Sequence, residues 1–242
     1  MNGDPTYREI VPAPALRPFV ACFWQRRAAA PTTPTTHRVL PDGCIDLLFD
    51  ATNGAALLVG TMTRPHDFTP DGGTDLVAVR LRPGALRHFV RADAVEFNDR
   101  HVDLVDVARD WRNVCGRVVA GTSAHRLTAL QGELLRRTQT CRTDAIDRAL
   151  AQWTTRPANL RIDDLANRIG VSRQWFGRVV TARTGLSPRS LARVMRFAAA
   201  VDALRAGRPA VVVALEHGYA DQAHLCRAVR EFAATTPSAL AD

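Results

Sequence analysis

The 242-residue chain contains no lysine, and all 32 of its basic residues are arginine. Every such side chain is a planar, bidentate donor, a usage that a GC-rich genome also produces. Long apolar runs are missing too: none approaches the ~18 residues needed to cross a bilayer, and the first thirty residues lack the hydrophobic stretch of a signal peptide. On that reading membrane partners are excluded and a cytoplasmic location is expected. Cysteine is sparse. Cys22, Cys44, Cys115, Cys141 and Cys226 are odd in number, scattered and without a CxxC pair, which fits reduced thiols rather than a disulfide framework. No nucleophile elbow, phosphate-cradling glycine loop, HExxH pair or Pro-Cys acceptor occurs, so neither an enzyme nor a bound cofactor is expected.

What the chain does have is positive charge, formally +8, unevenly spread. Residues 141–242 hold 15 Arg against 9 acidic residues, whereas residues 1–140 hold 17 against 15. The excess favours a polyanionic partner at the C-terminal end. That end also carries two helix-turn-helix signals, at 161–184 and 209–232. In the first, Ile162, Leu165, Ala166 and Ile169 recur at helical spacing and Gly170 supplies the break. Ser172 sits where an N-cap belongs, and the next helix buries Phe176, Val179 and Val180. Arg173, Gln174, Gly177, Arg178 and Thr181 are left on its other face, with the first turn placed to reach base edges.

The second signal repeats the plan. Val212, Val213 and Leu215 form its first stripe, His217 and Gly218 its break, Tyr219 its turn and Asp221 its cap. The following helix buries Leu225, Ala228, Val229 and Phe232 and presents Gln222, Ala223, Cys226, Arg227 and Arg230 outward. Between the two, residues 188–206 read as one helix with Leu191, Val194, Met195, Ala198, Val201 and Leu204 on one side.

On these residues the chain resembles the AraC/XylS family of transcription regulators. The resemblance covers about 144–240. It rests on LA at 165–166, SRxxFxR at 172–178, TGLSP at 184–188, GYADQAHLCR at 218–227 and TPSAL at 236–240. It implies double-stranded promoter DNA as partner, nucleoid association, and base-facing positions at Gln174, Gly177, Arg178, Gln222, Ala223, Cys226 and Arg227. Gly177 and Ala223 have little to read with, so direct readout concentrates on two Gln and two Arg, suited to adenine and guanine edges respectively. Ala234 departs from the pattern, standing where the family usually ends its helix with Gly.

The N-terminal half has a different texture. Short apolar runs at 20–25, 38–40, 44–49, 56–61 and 76–81 read as strands, and 84–90, 104–119, 124–138 and 144–153 as helices. The stretch HRVLPDGCIDLLFD from His37, with MTRP at 62–65 and RLRPGAL at 80–86, resembles an uncharacterised N-terminal domain of some actinobacterial members of that family, over roughly 5–135. Asp42, Cys44, Asp46, His37 and His66 are metal-ligand types, but their spacing matches neither a zinc site nor the paired histidines of a catalytic cupin; no metal is expected. Arg80 and Arg82 alternate on a strand and read as a grip for an anionic effector, or as a face paired with nearby acids. Trp24 is either a stacking wall for that effector or a core residue.

The expected fold is therefore α+β. A mixed β-rich module with helices at 1–138, sensing or dimerising, precedes an all-α domain at 142–240 with two helix-turn-helix units on a linker helix. The leading reading is a sequence-specific transcription regulator, activator or repressor, modulated by its N-terminal module. The alternative is an effector-independent or architectural DNA-binding protein whose module only dimerises. A small-molecule effector, RNA polymerase and a second copy of the chain stay open as partners. The stripe Leu127, Leu130, Leu134 and Leu135 serves either to pair helices between chains or to cover the β module.

Overall fold

The computed structural model describes residues 7–28, 36–69, 73–155 and 162–241; the expected start of the first helix-turn-helix at Arg161 lies outside them. The described N-terminal strands are β1 (Tyr7–Ile10), β2 (Val20–Ala28), β3 (His37–Val39), β4 (Ile45–Asp50), β5 (Ala55–Val59), β6 (His66–Phe68), β7 (Thr74–Leu81) and β8 (His101–Asp103). Six of them form an antiparallel sheet in the order β1-β2-β7-β4-β5-β8, while β3 and β6 pair separately as a two-stranded flap. Alternation sorts the sheet into two faces. Phe23, Leu47, Phe49, Leu58, Val79 and Leu81 enter the main core, and Cys22, Trp24, Leu76 and Ala78 form a smaller cluster on the other side, joined by Leu48 and by Phe68 of the flap.

Helices close the core face. The helix expected at 104–119 is split into α1 (Leu104–Val107) and α2 (Arg112–Ala120), and the one expected at 124–138 is α3 (Ser123–Thr138). The first is broken at Ala108 (φ −143°, ψ 79°) and continues through a 3₁₀ turn at Arg109–Trp111. The interruption lets Trp111 bury fully, with its indole N–H donating to the Phe89 carbonyl at 2.9 Å. The segment 84–90 holds only one 3₁₀ turn, Leu86–His88. Leu86, Phe89 and Val90 are spaced as on a helix, but Gly84 at φ +85° leads the chain in and a single tight turn buries all three. On α3, Leu130 and Leu134 are fully buried and Leu127 and Leu135 pack at the edge of the same core. The leucine stripe covers its own module.

The helical region comprises α4 (Ala145–Thr155), α5 (Ile162–Arg168), α6 (Arg173–Thr184), α7 (Pro188–Arg205), α8 (Ala210–Glu216), α9 (Gln222–Ala233) and α10 (Pro237–Ala241). It has a core of its own, in which Trp153, Phe176, Val180, Phe197, Val213 and Leu225 are buried. Two details of the expected stripes change. On seven-residue α8 only Val213 and Ala214 face inward, leaving Val212 and Leu215 exposed. On α7 the buried set includes Phe197 and Ala200, while Met195 is half-buried, packed against the same core and close to Gly43 of the β module. Among the described residues no helix is long and apolar enough to cross a membrane.

Candidate nucleic-acid interface

The helix expected to read the first half-site, α6, starts where local chemistry dictates. Ser172 is extended (φ −68°, ψ 147°) and its hydroxyl accepts from the Trp175 amide at 3.2 Å, satisfying one of the orphan N–H groups of α6. Gly185 in the left-handed region (φ +81°) ends the helix, its amide donating to the Thr181 carbonyl at 2.9 Å. Phe176 and Val180 are buried, which leaves Arg173, Gln174 and Arg178 exposed. Gln174, Gly177, Arg178 and Thr181 line one open groove. Arg173 forms an exposed ion pair with Asp163 of α5 at 3.3 Å. Trp175, 40% exposed next to Gln174, was not singled out by the pattern. Its signal was that it falls off the apolar stripe.

Its expected counterpart, α9, is built in the same way. Asp221 accepts from the His224 amide at 2.6 Å, and Leu225, Val229 and Phe232 are buried. Gln222, Ala223, Arg227 and Arg230 are exposed and Cys226 half-buried. Its end departs from glycine: Ala234 itself adopts the left-handed conformation (φ 51°, ψ 34°). A Cβ there costs on the order of 1 kcal/mol relative to glycine. Ala234→Gly is therefore expected to stabilise the chain by about 1 kcal/mol, read as a raised urea midpoint at constant slope; an unchanged midpoint would contradict the strain.

Both heads are mounted on α7. Ser187 caps it, accepting from the Ser190 amide at 3.1 Å. Near its middle, Arg196 donates to the Gly218 carbonyl at 3.1 Å and lies over the Tyr219 ring, Arg193 pairs with Glu231, and Phe197 meets Phe232 at 5.2 Å between ring centroids.

Residues 165–242 match a family described as a helix-turn-helix domain, and residues 8–103 match a domain of unknown function, DUF6597. The C-terminal region is an AraC-type helix-turn-helix domain. It makes the chain a DNA-binding transcription regulator. The chain is also similar to the solved C-terminal domain of AraT, a response regulator from Geobacillus stearothermophilus, with 20% identity, 41% of this chain and 84% of that one covered, and a TM-score of 0.38. ToxT from Vibrio cholerae, solved with a naphthalenyl-butenoic acid, is 12% identical over 90% of this chain and 97% of its own, with a TM-score of 0.49. No curated protein matches the chain.

The β module grips the AraC-type domain at the ends of α6 and α9. At α6, the buried Thr61 hydroxyl donates to the Thr184 carbonyl at 2.8 Å and the Asn98 amide to the Gly185 carbonyl. Val95, from the 3₁₀ turn Ala94–Phe97, borders the groove that Gln174 and Arg178 line. At α9, Arg38 of the flap donates to the Ala233 carbonyl at 3.2 Å. A charged cluster completes the seam: Arg183 of α6 binds Asp144 at 2.6 Å and Asp147 at 3.1 Å, and Arg87 of the module reaches Asp147 at 2.9 Å. Hydrogen bonds from Arg183 hold the Asp144 carboxyl below its usual range. Burial pushes Asp147 up, but bonds from His88 and Arg87 outweigh it and hold that carboxyl well below the usual range. Val95, Asn98 and Arg38 carried no periodicity that would have marked them.

The three residues read as an effector grip are not brought together. Trp24 and Arg80 meet: the Trp24 indole donates to Asp46 at 3.1 Å and Arg80 pairs with the same carboxylate at 3.2 Å. Arg82 lies beyond the end of β7, and its guanidinium donates to the Arg17 carbonyl at 2.9 Å. The expected alternation of the two arginines stops with the strand. Of the metal-ligand types, Asp42 turns back to accept from the Cys44 amide at 2.9 Å. Among the described residues no group of three or more His, Cys, Asp or Glu is arranged to hold a metal.

Proposed function

We propose that residues 142–240 read promoter DNA with two heads, α6 and α9, set into successive major grooves, and that residues 1–138 modulate this binding. The observation that carries it is the mounting: two capped helices, each with an exposed Gln and Arg on its outer face, fixed to one helix of 18 residues. At ~1.5 Å per residue α7 spans about 27 Å, and with its connecting turns approaches the ~34 Å between successive major grooves on one face of DNA. One chain then contacts two half-sites. Gln174, Arg178, Gln222 and Arg227 supply base contacts, with Arg173 and Arg230 on phosphates, and the seam at Val95 and Arg38 is where the module acts on the heads.

The test is site selection with the full chain followed by Arg178→Ala and Arg227→Ala. Each variant is expected to lose about 1–3 kcal/mol on the selected site, and to relax base preference at a different position. An equal loss on random DNA would reduce both arginines to phosphate clamps.

A further inference from the structure

Behind the flap, the non-core face of the sheet and the ribbon of β3 and β6 enclose a cavity of about 590 Å³. That volume falls within the range of small-molecule sites. Its walls are aromatic and aliphatic, including Tyr7, Trp24, Leu57 and Phe68, with His66 and His101 stacked edge to face at 4.7 Å. The charged groups in it are already bonded within the chain. Arg80 already has three carboxylates around it, Asp46 at 3.2 Å, Asp42 at 3.5 Å and Glu9 at 3.9 Å. Arg26 is bonded to His37 and lies over the Phe68 ring. Asp50 is occupied by the Thr52 amide at 2.8 Å and the Asn53 side chain. An incoming carboxylate would meet Asp46 beside Arg80, and an incoming ammonium would compete with guanidinium groups already bonded.

We infer that the cavity is a binding site for an uncharged, largely apolar ring compound, with the imidazoles of His66 and His101 as its hydrogen-bonding end. The inference rests on the reading of residues 1–138 as a modulating module and names the ligand class and the route of action. The flap has two sides. Val39, His66 and Phe68 line the cavity, while Arg38 and Asp67, paired at 2.7 Å, lie on the outside, where Arg38 reaches the last turn of α9. The loop leading into β6 holds Thr61, bonded to the end of α6. A molecule seated under the flap therefore bears on the segment that touches both reading helices.

The experiment uses the full chain and Nile red, an uncharged ring dye that brightens and shifts to the blue in apolar sites. Binding is expected in the wild type and should fall at least ten-fold in Leu57→Trp and in Val39→Trp, which fill the cavity from the sheet and from the flap; melting curves identify either variant that fails to fold. Three isosteres then compete. Biphenyl-4-methanol should displace the dye at concentrations ten-fold or more below those needed for biphenyl-4-carboxylate or 4-phenylbenzylammonium. No dye signal, or one that a folded filled variant retains, overturns the site; equal competition by either ion overturns the ligand class. None of these readouts involves DNA, so they fail or succeed apart from the regulator reading. The coupling has its own test: biphenyl-4-methanol should change affinity for the selected DNA site in the wild type and not in Arg38→Ala, and an equal change in both would refute the flap as the route.

Discussion

Five base pairs inserted between the two half-sites of a selected operator should lower specific affinity about 10³-fold, to the level of random DNA. Specific sites are commonly bound at least that much more tightly than non-specific ones. Five base pairs turn one half-site by about half a helical turn, to the far face of the duplex. The protein has little means of following. α7 is continuous from Pro188 to Arg205, and the second unit is pinned to it by the Arg196 bond to Gly218 and by the Phe197–Phe232 contact. An insertion of ten or eleven base pairs restores the face but adds about 34 Å, so it too should fail. A gel-shift or anisotropy titration at fixed salt decides the matter, since phosphate contacts alone make affinity salt-dependent. Unchanged affinity would mean that one head suffices or that two chains share the site.

Asp147→Asn should be the costliest single change in the seam. The carboxylate is largely buried between Arg183, Arg87 and His88, and deleting its charge leaves both guanidinium groups to share Asp144 alone, at about 3 kcal/mol. For a chain of this size that lowers the melting temperature by roughly 6–12 °C. The pH dependence carries a sign. Asp144 and Asp147 both titrate below their ordinary values in the folded state. Their contribution is thus complete above the unfolded carboxylate pKa of about 4 and is lost as the pH falls through the folded values. Wild-type melting temperature should drop on acidification below about pH 4, and that of Asp147→Asn should drop less. Parallel curves would show that the cluster does not contribute.

The parts legible in the sequence were those set within a few residues of chain. Ser172 and Asp221 cap their helices as their positions suggested, because a cap bonds an amide only three residues away. Strands β2, β4 and β7 were visible as apolar runs. β3 and β5 were visible too, at 38–40 and 56–61, but β1, β6 and β8 were not, since Tyr7–Ile10, His66–Phe68 and His101–Asp103 are mostly polar. The break at Ala108 was equally hidden: no Gly or Pro marks it, and it comes with the full burial of Trp111. Arg80 shows the limit most plainly. The alternation of Arg80 with Val79 and Leu81 placed it on a strand face, but the acids that neutralise it come from β1, the 41–43 turn and β4.

The sequence by itself determined the two capped helices α6 and α9, the exposed Gln and Arg on each, the linker helix and the β-rich texture before them. These follow from hydrophobic period, cap residues and glycine breaks, all interactions of neighbours along the chain. Only the tertiary structure decided that the leucine stripe of α3 covers its own sheet, that Arg80 is matched while Arg82 lies elsewhere, and that Val95, Asn98 and Arg38 meet the ends of the reading helices. Those depend on contacts between residues 34 to 195 positions apart, which cross-strand register and helix docking bring together and which no local pattern encodes.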